Sequence, residues 1–124
     1  LIGVDALIVN EENECLLFKH SYRKEYPWGL PSGYLHKREH PLEAIKREIF
    51  EESGYVVHIT QLLDVYISKN MPSIALIFQG EIVNQMDFVP SAEVLEARFF
   101  PVDRLPKLLP DQQDIITMHL PHQG

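Results

Sequence analysis

Three carboxylates crowd one short stretch of this chain: Glu48, Glu51 and Glu52 in the run REIFEESG, residues 47–54. In a helix they fall at i, i+3 and i+4, spacings at which each like-charged pair costs about 0.2–0.5 kcal/mol. One account of them is a solvated acidic helix face, with Arg47 pairing to Glu51 a turn further on. The other is a cradle for a hard cation, because Mg²⁺ takes oxygen ligands, keeps several waters and is often shared between carboxylates and phosphates. Long acidic side chains beside a buried stripe are only partly hydrated, which sharpens their repulsion and calls for a positive charge.

Elements of definite kinds must position these groups. Pro41 suits a first helical turn, Leu42, Ile45 and Ile49 form one stripe, and Gly54 is a stop signal, so a helix of about 13 residues is predicted. At about 100° per residue the stripe faces a core, the glutamates lie beside it, and Ala44 shares their face one turn earlier. Before the helix, SYRKEYPWGLPSG (residues 21–33) is rich in Pro, Gly and aromatics and predicts an ordered loop ending in a tight turn. Residues 2–9 and 14–19 are apolar runs either side of the polar NEEN and predict a hairpin. Residues 55–68 and 73–83, joined by NMP, predict two long sheet strands. EARFFPV predicts another strand, and after the Pro-punctuated DRLPKLLP a last helix is expected over 111–119. The order β-β-loop-α-β-β-β-α describes a mixed α/β domain with one sheet.

The chain of 124 residues has the size of one domain and a single core is expected; 45% hydrophobic and 23% charged residues are globular proportions. The net charge of −7 argues against nonspecific nucleic-acid binding, which needs clustered Lys and Arg. The opening LIGVDALIV is interrupted by Asp5 and lacks a basic leader, so it reads as a buried strand rather than a membrane or signal segment. Cys15 is the only cysteine, which excludes an intrachain disulfide and makes a reducing, cytoplasmic setting the default. Leu1 in place of Met leaves open whether the chain is part of a longer protein.

Gly33, Glu39, Arg47, Glu48, Glu51, Glu52 and Gly54 stand in the pattern G-x5-E-x7-R-E-U-x-E-E-x-G-U, where U is bulky and apolar, and GYLHKREHPLEAIKREIFEESGY fills every fixed position. This resembles the Nudix box, here residues 33–55; WGLPSG before it is similar to the family's W-x-L-P-G-G lead-in, and EARFFPVDRLP to the strand and turn that often follow. The resemblance implies a single domain over residues 1–124 with a Nudix-type α/β/α sandwich fold, a mixed central sheet and the catalytic helix packed on it. It implies hydrolysis of a phosphoanhydride in a nucleoside diphosphate linked to another group, assisted by Mg²⁺ or Mn²⁺. Carried over by position, Glu51 and Glu52 match metal ligands, Glu48 a third ligand or a water-activating carboxylate, Arg47 a residue orienting a glutamate, and Glu39 a supporting group. A further carboxylate from a later loop is expected as ligand or general base, here Glu93 or Glu96, with Glu93 preferred. Two departures stand out. Tyr55 replaces the usual aliphatic residue, and Ser32 stands where the first of two glycines normally offers a backbone carbonyl to metal.

Other residues carry weaker signals. Trp28 is a candidate for stacking on a base and also a natural packing anchor, and His20, Tyr22, Arg23 and Lys24 are placed to meet a phosphate or base or to form a polar loop. Arg23 and Trp28 are kept as candidate substrate contacts. The six histidines show no zinc spacing, and His36, His40, His58, His119 and His122 read as surface residues. Pro72 lies at a distance from the box similar to that in some ADP-ribose-cleaving relatives, though a proline in a turn explains itself. A nucleotide-binding sensor of the same fold and an isoprenoid diphosphate isomerase are the competing readings, the latter requiring a thiol that only Cys15 supplies. A free strand edge would suit a homodimer.

Overall fold

The computed structural model describes residues 2–84 and 86–120; His122 lies outside them. Seven strands and two helices follow in the order β1 (Ile2–Ile8), β2 (Glu14–His20), β3 (Trp28–Gly29), β4 (Ser32–Tyr34), α1 (Pro41–Ser53), β5 (Val57–Ile67), β6 (Ile74–Ile82), β7 (Val94–Pro101) and α2 (Pro110–His119). The helix carrying the glutamates begins and ends where its sequence places it. His40 Nδ1 accepts from Leu42 N at 3.1 Å as the N-cap, Pro41 opens the first turn, and Gly54 closes it at φ 78°. A side chain at Gly54 would be strained in that left-handed conformation and would press on Val89.

The expectations of one sheet and of a β1–β2 hairpin are corrected. The strands form two sheets, β4-β1-β6-β5 and β3-β2-β7, and between β1 and β2 there is no ladder, only an isolated bridge from Val9 to Cys15 among the described residues. The reason lies in burial. Val4, Ala6 and Ile8 point to one face of β1 and Leu7 to the other, and all are fully buried, so β1 needs cover on both faces and a neighbour on each edge. It finds them in antiparallel β4 and parallel β6, making this sheet mixed. The turn at NEEN survives, with Asn10 Oδ1 accepting from Glu12 N and Glu14 N. The β5–β6 pair is the predicted antiparallel hairpin, with two register irregularities. The predicted loop over 21–33 contains the short strand β3 and the start of β4, which the sequence reading did not separate.

Two cores flank the sheets. Ala44, Ile45 and Ile49 of α1 pack with Val4, Ala6 and Ile8 of β1, and Ile115 and Ile116 of α2 pack with Leu7 and Ile77 on the opposite side. The layers are therefore helix, sheets, helix. Tyr55, the first departure from the box, is absorbed by packing against Phe88, with ring centroids 6.1 Å apart. Among the described residues no helix is long and apolar enough to cross a membrane.

In β6, a Cβ on Gly80 would lie 2.5 Å from the backbone oxygen of His58 in the neighbouring β5. Backbone cannot swing aside as a side chain does. Gly80→Ala is expected to destabilise the fold by about 1–3 kcal/mol, read from urea unfolding, and an unchanged midpoint would show that the strands part freely there.

Candidate active site

On α1 the three glutamates form a gradient of exposure: Glu52 is 5% exposed, the Glu48 side chain 17% and the Glu51 side chain 53%. Glu48 and Glu52 continue the line of buried Ala44, so two of the three sit inside the buried face rather than merely beside it. Arg47 gathers the others. Its Nε and Nη2 donate to the two oxygens of Glu39 at 2.7 and 3.0 Å, and its Nη1 reaches Glu51 at 2.7 Å and Glu48 at 3.0 Å. Glu39 also accepts from His36 N, so it ties the loop before α1 to Arg47. These bonds from Arg47 hold the Glu39 carboxyl down to about 2.

Glu52 has no such partner. Burial pushes its carboxyl up to about 8, and the charges of Glu48, Glu93 and Glu51 push the same way. Its Oε1 is buried without a hydrogen bond among the described residues. Burial also raises Glu48, against the pull of Arg47. Gly33 lies directly under Glu48: a Cβ there would come within 2.5 Å of Glu48 Cγ and overlap Cδ. That close approach is the physical reason for glycine at the start of the box.

The glutamates form one wall of a cavity of about 1400 Å³. Gly3 and Asp5 of β1, Ser32 and Gly33 of β4, and Ala75 of β6 also line it, as do Tyr22, Arg23 and Glu93. Its far wall is the β5–β6 turn against the first turn of α2. Those two are tied together by Asp111, which accepts from Ser68 Oγ and Asn70 Nδ2, both at 2.6 Å, and from Tyr66 OH at 3.3 Å.

The sequence-predicted residues separate cleanly in space. Glu93 reaches the cavity because its loop is anchored at both ends: Ser91 Oγ donates to Glu52 O, and Ser21 donates through N to Glu93 O and through Oγ to Ala92 O. Glu96 instead pairs with Arg98 and does not line the cavity. Trp28 is also absent from the lining; it packs edge-on against Phe100 at 5.0 Å with Arg98 over its ring. Ser32 lines the cavity in an extended strand, paired with Asp5, so no left-handed backbone calls for glycine there. Arg23 faces the cavity with its Nη1 buried and unpartnered among the described residues.

His20 does not reach the cavity; it is 2% exposed, packed near Tyr22 and Arg23. Burial, and then the Arg23 charge, lowers its imidazole from 6.5 to about 4. The folded chain thus holds His20 neutral while the unfolded chain protonates it, so this contribution to stability is whole above about pH 6.5 and is lost as pH falls towards 4. The stability advantage of the wild type over His20→Phe is expected to shrink by about 3 kcal/mol across that window. A constant difference would show that His20 titrates normally.

Asp5 was singled out in the sequence only as a charge interrupting an apolar run, and that interruption is the signal that pointed here. Burial pushes its carboxyl up to about 7, with Arg23 pulling it down and Asp111 pushing it up.

Among the described residues no three acidic, His or Cys side chains converge into a ready metal cage. Arg47 holds Glu48 and Glu51, and Glu52 stands apart from its bonds. The donor set still fits a hard divalent cation: its side-chain donors are all carboxylate oxygens, and Glu52 Oε1 is buried without a hydrogen-bond partner among the described residues.

The fold is an α/β/α sandwich with the glutamate helix α1 forming one wall of the cavity. The NUDIX domain model matches residues 1–119, and the chain belongs to the NUDIX family. It is 32% identical over 127 residues to the ADP-ribose pyrophosphatase of Methanocaldococcus jannaschii, covering 96% of this chain and 72% of that protein. It is 30% identical over 105 residues to a Bacillus subtilis protein provisionally named 8-oxo-dGTP diphosphatase, covering 84% of this chain and 68% of the other. The crystal structure of a NUDIX hydrolase from Nitrosomonas europaea superposes with a TM-score of 0.74 at 28% identity. That match covers 85% of this chain and 59% of the other, so this chain spans about three-fifths of that protein's length.

Proposed function

We propose that the chain hydrolyses the phosphoanhydride of a nucleoside diphosphate linked to a second group, with Mg²⁺ or Mn²⁺ as cofactor. The observation that carries this reading is the buried Glu52 carboxylate, its Oε1 unpartnered among the described residues, close to the charges of Glu48, Glu51 and Glu93 on the wall of a cavity of about 1400 Å³. Glu51 and Glu52 would hold the cation, joined by Glu48 and the Ser32 carbonyl. When bound, such an ion neutralises diphosphate oxygens and acidifies a coordinated water. The protein's own groups do the rest. Arg47 fixes the rotamers of Glu48 and Glu51 through its shared Nη1, so neither carboxylate needs to be ordered when substrate arrives. Gly33 leaves the space into which Glu48 leans. Glu93, held by the loop at Ser91, is the candidate to accept the proton of the attacking water, and Glu96 is set aside by its pairing with Arg98. Arg23 supplies positive charge between the glutamate wall and Asp5, so an anionic substrate meets a cation in an acidic protein.

A panel of nucleoside triphosphates, ADP-ribose, dinucleoside polyphosphates, NADH, coenzyme A and nucleotide sugars, with Mg²⁺ or Mn²⁺ and phosphate detection, tests the reading. Tight nucleotide binding with no turnover across the panel would replace it by the sensor alternative. The isomerase alternative loses ground because Cys15 is fully buried in β2 and burial raises its thiol to about 12. A reducing, cytoplasmic setting suits that free thiol. β5 is a free edge of its sheet with exposed Leu62, Val65 and Ile67, the surface on which a second copy would pair to make a homodimer. The proposed domain spans residues 1–124.

A further inference from the structure

Residues 30–33, which lead from β3 into β4, carry two parts of the glutamate wall's surroundings: Ser32 lines the cavity, and Gly33 lies under Glu48. The later part of this segment is held by β1. Pro31 O accepts from Ala6 N at 3.0 Å, and Ser32 and Gly33 pair with Asp5 and Val4. Its start is held from α2 instead. Leu30 N donates at 2.9 Å to Gln112 Oε1, in a buried bond, and Gln112 itself is 8% exposed. Among the described residues no other side chain bonds to the backbone of residues 30–33. The approach depends on Gly29, because a Cβ there would lie 2.7 Å from Gln112 Oε1 and would overlap Arg23 Nη1. Without the amide oxygen, Leu30 N would be a buried donor with no acceptor, a state that a chain relieves by shifting. The Leu30 side chain is fully buried, so that shift would pass forward to Ser32 and Gly33.

We propose that Gln112 is a positioning residue for the cation site: by fixing Leu30 it sets where Ser32 stands and, through Gly33, where Glu48 rests. It rests on the hydrolase reading above, which places the cation among Glu48, Glu51, Glu52 and the Ser32 carbonyl. Gln112 acts through the segment it holds and has no part in binding the ion.

Mn²⁺ binding, followed by the electron paramagnetic resonance of the free ion, reads the site without any turnover. Gln112→Met keeps the length of the side chain and removes the acceptor. It is expected to weaken Mn²⁺ binding about 10- to 100-fold, with a melt showing that the protein is folded at the assay temperature. Gln112→Glu keeps an acceptor oxygen for Leu30 N and is expected to bind Mn²⁺ at least as well as the wild type. A merely structural Gln112 would lower Tm and leave Mn²⁺ affinity unchanged, and that result would overturn the proposal. Equal weakening in Gln112→Met and Gln112→Glu, or a wild type that binds no Mn²⁺, would overturn it too. Should Gln112→Met fail to fold, Gln112→Asn withdraws the oxygen by one methylene and makes the same comparison. With a nucleotide that the wild type hydrolyses, Gln112→Met should lower kcat and leave the nucleotide KM nearly level; a change in KM alone counts against the proposal. If no nucleotide is hydrolysed, the hydrolase reading fails by itself, and the Mn²⁺ comparison still decides what Gln112 does.

Discussion

Replacing Glu51 and Glu52 together by glutamine is expected to reduce metal-dependent turnover by at least about a thousandfold while the protein stays folded. The two halves of that expectation have separate causes. Two of the carboxylates proposed to hold the cation become neutral amides, so the diphosphate charge would no longer be offset. Stability, in contrast, should hold or rise, because Glu52 is a buried carboxylate crowded by Glu48, Glu93 and Glu51, and neutralising it removes that repulsion. Phosphate release measured beside a thermal melt checks both. Retained turnover in the double variant would remove the proposed site; lost turnover with a collapsed melt would make the glutamates structural.

The second large effect concerns a position with no side chain. Gly33→Ala brings a Cβ into the space now filled by the Glu48 side chain. The backbone of β4 is held by β1 through Val4 and Asp5, so the side chain must yield. Glu48 then leaves the reach of Arg47, and misplacing such a group by about 1 Å costs on the order of a hundredfold in rate. The expected signature is a fall in kcat of that size with the unfolding midpoint almost unchanged. A fully active Gly33→Ala would mean that Glu48 is not needed where it stands.

How much of this was readable beforehand follows the range of the interactions. The glutamate helix, its Pro41 start and its Gly54 stop were legible because each depends on residues within a turn or two. The Arg47 contacts were legible for the same reason, apart from the reach back to Glu39. The pairing of β1 with β6 was not, since adjacent apolar runs look like a hairpin until burial on both faces of β1 is known. That Glu93 lines the cavity while Glu96 pairs with Arg98 was not legible either, because Ser91 and Arg98 act only once β7 is in place. Gln112 was invisible for the most extreme version of this reason: its Oε1 accepts from Leu30 N, a partner 82 residues away.

The bond set of Asp111 divides the labour of the cavity. Among the described residues no hydrogen bond or ion pair joins the clasp between the β5–β6 turn and α2 to Glu48, Glu51 or Glu52 or to the Arg47 cluster. On the proposed reading, changes at residues 68–73 of the β5–β6 turn would alter which group on the diphosphate the cavity admits while leaving the Arg47 cluster of α1 in place. One reaction chemistry can in this way be passed among many substrates without being reinvented.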